Sequence, residues 1–181
     1  MLEHHEQVIL LDEHFHQSGT MDKAVVHTSQ TPLHLAFSCY VFNREGQLLI
    51  TRRALSKTAW PGVWSNSFCG HPQPGESQND AIMRRAAFEL GLSISLPELV
   101  VPRFQYCVTD ASGVMENEFC PIYVARSDAQ PQPNPLEVME YAWVGIGQVI
   151  DAISAVPQVF SPWMALQLQQ PELLKKIGAL A

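Results

Sequence analysis

Two carboxylates one residue apart, a cysteine and a histidine one residue apart, and two further histidines carry most of this chain's capacity for chemistry. In Glu116-Asn117-Glu118, an extended backbone turns both carboxylates to one face and Asn117 to the other. Adjacent carboxylates repel, and a shared cation or a retained proton relieves the repulsion. The flanking Val114, Met115, Phe119, Cys120, Ile122 and Tyr123 read as a buried strand; the alternative is a solvated strand face. Cys69-Gly70-His71, if extended, puts a thiol and an imidazole on one face. His27 and His34 lie seven residues apart, and His34 opens an apolar run. Imidazoles in apolar surroundings need partners. Three His and two Glu could complete a nitrogen and oxygen shell for a divalent transition metal. Spacing alone leaves a second reading open: a small buried cysteine and histidines that are satisfied polar groups. His4, His5, His14 and His16 fall in the N-terminal stretch and read as solvated.

The elements that must position these groups are legible in outline. Val8–Leu11 reads as a first strand, and Leu33–Phe42 as a second, rich in apolar and β-favouring residues. Asn43-Arg44-Glu45-Gly46 makes a turn into a third strand over Gln47–Arg52. Trp60-Pro61-Gly62-Val63-Trp64 is a loop with aromatic anchors. Glu76–Leu90 is the clearest helix. Ser77 and Asp80 resemble a capping box, Ile82, Ala86 and Leu90 form a buried stripe, and Gly91 ends it. Further strands are predicted over Arg103–Thr109, Met115–Ala125 and Tyr141–Val144, with a hairpin turn at Asp110-Ala111-Ser112-Gly113. Gln130–Pro135 is a Pro-rich exposed loop. Gln148–Ala155 and Trp163–Ala179 read as C-terminal helices. Interleaved strands and helices, with antiparallel hairpins, predict an α/β (α+β) layered fold, a mixed sheet flanked by helices.

The chain has 181 residues, enough for one domain at roughly 150 residues each. The apolar fraction of 46% against 16% charged residues argues for a packed core rather than disorder. Eleven basic and 18 acidic residues give a net charge of −7. That balance argues against nucleic acid as a partner and against a polybasic membrane anchor. No apolar run has bilayer-spanning length, and the start lacks the pattern of a signal peptide. A cytoplasmic protein is expected, with Cys39, Cys69, Cys107 and Cys120 as free thiols.

A stronger local signal runs from Gly70 to Leu92. Gly70, Glu76, Arg84, Ala86, Glu89, Gly91 and Leu92 keep the spacing of the Nudix box, G-x5-E-x7-R-E-U-x-E-E-x-G-U, which this segment resembles. Arg85 and Phe88 stand where that pattern has Glu. Those carboxylates hold magnesium in Nudix hydrolases, so the resemblance implies the Nudix fold and argues against ordinary diphosphate hydrolysis. The plainer reading of the helix is a surface Arg85–Glu89 pair, which leaves the Gly-to-Gly spacing unexplained.

Across about residues 23–163 the chain is similar to the type I isopentenyl-diphosphate Δ-isomerases, the metal-dependent, flavin-free kind within the Nudix superfamily. The likeness rests on His27-Thr28, Leu33 to Ser38, Leu49 to Ala54, Lys57, Trp60 to Ser67, Cys69-Gly70-His71-Pro72, Gly75-Glu76, Glu116-Asn117-Glu118 and Phe160-Ser161-Pro162-Trp163. It implies one Nudix-like isomerase domain over residues 1–181, with an N-terminal extension and C-terminal helices. By the same resemblance Cys69 and Glu118 flank the substrate as proton-transfer groups, Cys69 as a thiolate favoured by nearby cations. Tyr106 hydrogen-bonds Glu118, and Trp163 faces a cationic carbon. Lys23, Arg53, Lys57 and Arg85 bind a small-molecule diphosphate. His27, His34, His71, Glu116 and Glu118 hold Mn, Mg or Zn, and Glu89 holds Mg with the substrate diphosphate. For each cation the plainer role is an exposed solubilising charge, and for Trp163 a core aromatic. A monomer is expected, with a homodimer as the alternative. The competing functions are a Nudix pyrophosphohydrolase acting on a nucleotide or other diphosphate and a non-catalytic binding protein that keeps the fold.

Overall fold

The computed structural model describes residues 6–180. In chain order its strands are β1 Gln7–Leu11, β2 Gln17–Asp22, β3 His34–Leu35, β4 Phe37–Phe42, β5 Gln47–Arg53, β6 Trp64–Ser65, β7 Phe68–Gly70, β8 Glu98–Val101, β9 Gln105–Thr109, β10 Met115–Phe119, β11 Ile122–Arg126 and β12 Val138–Gly145. The helices are α1 Lys23–Val26, α2 Gln78–Leu90, α3 Ile146–Ala155, α4 Pro162–Gln167 and α5 Pro171–Gly178.

The strands form two mixed sheets, ordered β2-β1-β3-β10-β9 and β12-β5-β4-β11-β8, with β6 added to β5 and β7 to β4. Helices cover both faces of the second sheet. On one face α2 packs Ile82, Ala86 and Leu90 against Phe37, Cys39, Val41 and Leu49. On the other, Met164, Leu173 and Ile177 from the C-terminal helices meet Tyr40, Phe42, Leu48 and Ile122. This is the expected α+β layering.

Two expected long strands are each broken in the middle, and the breaks build the site. The run from Leu33 to Phe42 passes from the first sheet (β3) to the second (β4) at Ala36. The run from Met115 to Ala125 does the same between β10 and β11, where Pro121 has no N–H for a ladder. The two crossings lie side by side, paired in parallel on both sides of the break. Ala36 N–H donates to the Phe119 carbonyl at 2.9 Å and Ser38 N–H to the Pro121 carbonyl at 3.1 Å.

Other corrections are local. The helix expected from Glu76 begins at Gln78, because Ser77 is its N-cap and accepts from Asp80 N–H at 3.1 Å. Gly91 closes it at φ 59°, a left-handed conformation that suits glycine. The C-terminal helix expected over Trp163–Ala179 is two helices, since Pro171 starts α5 and cannot continue α4. Strands β2 and β8 and helix α1 were not expected from the sequence. β2 is a polar, half-exposed edge with no alternation to mark it.

Candidate active site

Strand parity aims the carboxylates inward. On β10 both Glu116 and Glu118 are buried, while Asn117 turns away and donates to the Thr31 carbonyl at 3.1 Å. The parallel register sets Glu118 against His34 on β3, and the antiparallel register sets it against Tyr106 on β9. Ligand atoms of His27, His34, His71 and Glu118 lie within 4.8 Å of one another. Glu116 stands just outside that group, its Oε2 3.1 Å from His27 Nε2.

The polar atoms here are arranged for a cation. His34 Nδ1 contacts the Pro32 carbonyl at 2.9 Å and must carry a proton there, so Nε2 faces Glu118 Oε1 at 3.5 Å. Among the described residues, His27 Nε2, His34 Nε2, His71 Nδ1 and Glu116 Oε2 are buried without a hydrogen bond. Unpartnered polar atoms of imidazoles and a carboxylate gathered at one place fit a divalent metal. Burial lowers the His71 pKa to about 3 despite its 2.9 Å contact with Glu118, so this ring is neutral. Burial opposes ionisation of Glu118, but the facing imidazoles of His34 and His71 outweigh it and hold its pKa well below the usual carboxylate range. Tyr106 donates to Glu118 Oε2 at 2.6 Å. His14 and His16 are exposed, as expected; His4 and His5 lie outside the described residues.

Cys69 sits on β7, paired with Ser38 of β4. The expected cation-favoured thiolate is corrected by its surroundings: burial pushes the Cys69 pKa up to about 12, the Glu118 charge adds to the rise, and Arg53 offsets little of it. The resting group is a thiol. Its sulfur contacts Ser38 Oγ at 3.2 Å and Asn66 Oδ1 at 3.4 Å.

Cys69, His27, His71, Glu116 and Glu118 line one cavity of about 290 Å³. Tyr106 and Trp163 wall the same cavity, as do Lys23, Arg53, Lys57, Arg85 and Glu89. His34 stands behind this wall and is fully buried. Trp163 is 2% exposed, with Nε1 donating to Ser65 Oγ at 3.1 Å, so it is a core aromatic and a cavity wall together. The Arg53 guanidinium lies 5.2 Å from the Trp163 ring centroid and donates to the Ala59 carbonyl at 2.7 Å. The Trp60 ring stands edge-on to Trp163 at 5.5 Å, on a backbone held at φ 44°.

The Nudix-box helix explains its own spacing. Arg84 grips both oxygens of Glu76 at 2.8 Å and donates to the His71 carbonyl at 3.1 Å, tying the helix to a site loop. Arg85 is not part of a surface pair: its side chain is 3% exposed and reaches Glu89, Glu137 and Glu6. Lys57 pairs with Glu137, and Lys23 with Glu6 at 2.5 Å. Burial opposes ionisation of Glu6, but Lys23, Arg85 and Arg84 lower its pKa to about 2. Glu6, Glu137 and Gln167 carry no motif that points to them; Ser38 and Asn66 fall in the Leu33–Ser38 and Trp60–Ser67 segments, where the resemblance implies no role for either. Arg52 is turned outward to Glu140.

A NUDIX domain model matches residues 32–164. The isopentenyl-diphosphate Delta-isomerase of Kocuria rhizophila is 57% identical over 173 residues, covering 96% of this chain and 96% of that protein. Proteins of the same name from Citrobacter koseri and Escherichia coli K12 are 57% and 52% identical, covering 90% and 96% of both partners respectively. Among solved structures, a Deinococcus radiodurans protein superposes with a TM-score of 0.65 at 24% identity, covering 83% of this chain and 90% of that one. The MutT protein of Methanosarcina mazei gives 0.57 at 19%, covering 66% and 82%. These two likenesses concern the fold alone. By the matched domain and the full-length identities, the chain belongs to the NUDIX family and, within it, to the isopentenyl-diphosphate Delta-isomerases.

Proposed function

We propose that this protein interconverts isopentenyl diphosphate and dimethylallyl diphosphate by adding a proton to one carbon and removing one from another. The observation that carries this reading is a single cavity walled by a thiol, a carboxylate, an indole and four cations. Lys23, Arg53, Lys57 and Arg85 bind the diphosphate, Arg as a bidentate fork. Glu89 is the side chain that would hold Mg beside the diphosphate. His27, His34, His71, Glu116 and Glu118 would hold Mn, Mg or Zn. When bound, that metal supplies positive charge that fixes Glu118 and tunes its acidity.

The protein's own groups account for the proton movements. Cys69 and Glu118 flank the carbon skeleton: one gives its proton to the alkene, and the other takes a proton from the neighbouring carbon. The direction of the reversible reaction sets which does which, and solvent resets both. Tyr106 keeps a donor on Glu118 throughout. The intermediate carbon is electron-poor, and the Trp163 face stabilises it without offering an oxygen nucleophile. Burial of these walls keeps water from capturing the cation.

Hydrolysis of a diphosphate, the competing reaction, is disfavoured by the buried Arg85 guanidinium at a position where the Nudix box supplies a carboxylate. Incubation with isopentenyl diphosphate in deuterated water separates the two. Deuterated dimethylallyl diphosphate is the expected product; released phosphate without isomerisation would overturn the reading.

A further inference from the structure

Behind Cys69 lies a run of polar side chains to which the reaction above gives no role. Tyr40, Ser38 and Gln167 are each fully buried, and buried polar groups persist when they are hydrogen-bonded. They form one chain. The Tyr40 hydroxyl donates to Gln167 Oε1 at 2.8 Å, and Gln167 Nε2 donates to Ser38 Oγ at 2.8 Å. Ser38 Oγ then lies 3.2 Å from Cys69 Sγ and 3.3 Å from Cys120 Sγ.

The chain has a direction. The Gln167 amide presents its oxygen to the Tyr40 hydroxyl, which donates to it. The amide nitrogen therefore faces Ser38, whose oxygen accepts. Cys120, fully buried, is a second sulfur beside the same oxygen. The one proton of Cys69 goes to Asn66 Oδ1 at 3.4 Å, so Ser38 is the donor in its 3.2 Å contact with Cys69. On the other side, Asn66 Nδ2 donates to the Cys39 and Phe68 carbonyls at 3.1 and 2.9 Å, which turns Oδ1 toward Cys69. The sulfur is held between one donor and one acceptor.

We propose that Ser38, aimed by Gln167 of α4, is a positioning residue that orients the Cys69 sulfur and keeps a hydrogen-bond donor on it while its proton is on the substrate. The inference rests on the reading of Cys69 given above. A donor already in place needs no rearrangement at the moment of proton transfer. The chain runs from α4 to β7, so the C-terminal helices act on the chemistry although only Trp163 among their residues walls the cavity.

The test is Ser38→Ala, assayed for kcat, KM, metal content and position-resolved deuterium uptake by the substrate in deuterated water. Loss of one preorganised donor costs roughly 100- to 1000-fold for an oxyanion. Sulfur is a weaker acceptor, so a fall in kcat of about tenfold is expected. KM and metal content should stay as in the wild type. Uptake should slow at the carbon served by Cys69 and not at the carbon served by Glu118, whereas a general structural loss would slow both equally. Ser38→Thr keeps the hydroxyl and should recover rate. Gln167→Met removes the amide at similar length without touching Cys69, and carries the same readouts if Ser38→Ala does not fold. Unchanged kcat in a folded variant, or equal slowing at both carbons, would overturn the proposal. A wild-type protein that does not interconvert the two isomers would instead overturn the reading of function on which it rests.

Discussion

Two nitrogens of the Arg85 guanidinium converge on one oxygen of Glu89, at 2.9 and 2.5 Å. The same side chain lies 3.4 Å from both Glu6 and Glu137, and only 3% of it is exposed. Burial works against this cation, but three surrounding carboxylates outweigh it and raise its pKa. A position that carries a carboxylate in the Nudix box is here the hub of a buried charge network.

Removing that hub leaves buried carboxylates facing one another. Arg85→Ala is expected to cost about 3–5 kcal/mol, the range for breaking a buried ion pair by deleting one partner. Urea denaturation at neutral pH measures it. Arg85→Lys keeps the charge but not the fork, and should retain more stability than it retains affinity for diphosphate. Equal stability of Arg85→Ala and wild type would contradict the network.

Gly70 opens the Nudix box for a steric reason. A Cβ there would stand 2.8 Å from Arg85 Cγ and 2.8 Å from Phe37 Cζ. Gly70→Ala is therefore expected to destabilise by about 1–3 kcal/mol through overpacking. Because the displaced group is Arg85, KM for the diphosphate substrate should rise as well. A variant with normal KM and melting temperature would show that the neighbours yield freely.

Much of this site is legible in residue order. Parity in Glu116-Asn117-Glu118 and the stripe Ile82, Ala86, Leu90 are local periodicities, and both appear as buried faces. Pro121 marks one strand break by its missing N–H, but the break at Ala36 has no local mark. Each apolar run continues across its break, and only pairing of the two crossings separates the sheets. The same holds for Glu6 and Glu137, whose partners are cations 17 to 80 residues away in sequence. Desolvation, the largest cause of the raised Cys69 pKa, is likewise not visible in residue order, where only the nearby cations are.

Replacing Cys69 by alanine tests the thiol directly. The change removes one sulfur from a partly exposed position and no metal ligand, so fold and metal content should be kept while turnover is lost. Metal analysis, circular dichroism and the isomerisation assay report the three quantities separately. Near-normal turnover would remove Cys69 from the reaction.

Metal retention should depend on pH through His34. Burial lowers its pKa, but the bond and charge of Glu118 outweigh this and raise it above the ordinary 6.5. A proton on His34 competes with metal, so occupancy should fall as pH is lowered through the raised folded pKa of His34. Without metal the sign reverses. A raised folded pKa makes the His34–Glu118 contact stabilising below pH 6.5, and that contribution is lost as pH rises through the folded value. Metal content after dialysis and denaturation of the chelated protein measure the two arms. His34→Ala should lower metal content at every pH; unaltered content would exclude it as a ligand.

Tyr106 offers the narrowest probe of Glu118. Its hydroxyl is 2.6 Å from Glu118 Oε2, and burial with the Glu118 and Glu116 charges holds the phenol well above its ordinary range, so it donates at every working pH. Tyr106→Phe deletes that donor and keeps the ring, whose packing on Phe104 and Trp163, at 5.9 Å to each, is undisturbed. A hydrogen bond to a buried charge contributes about 1.5–3 kcal/mol. If that bond strengthens as Glu118 changes protonation state, most of its loss appears in kcat, a fall of roughly 10- to 100-fold. If it is equally strong throughout, the loss appears in folding stability and kcat stays within about twofold. The first outcome is expected on the proposed role of Glu118 in proton transfer; parallel kinetics and denaturation on the one variant decide between them.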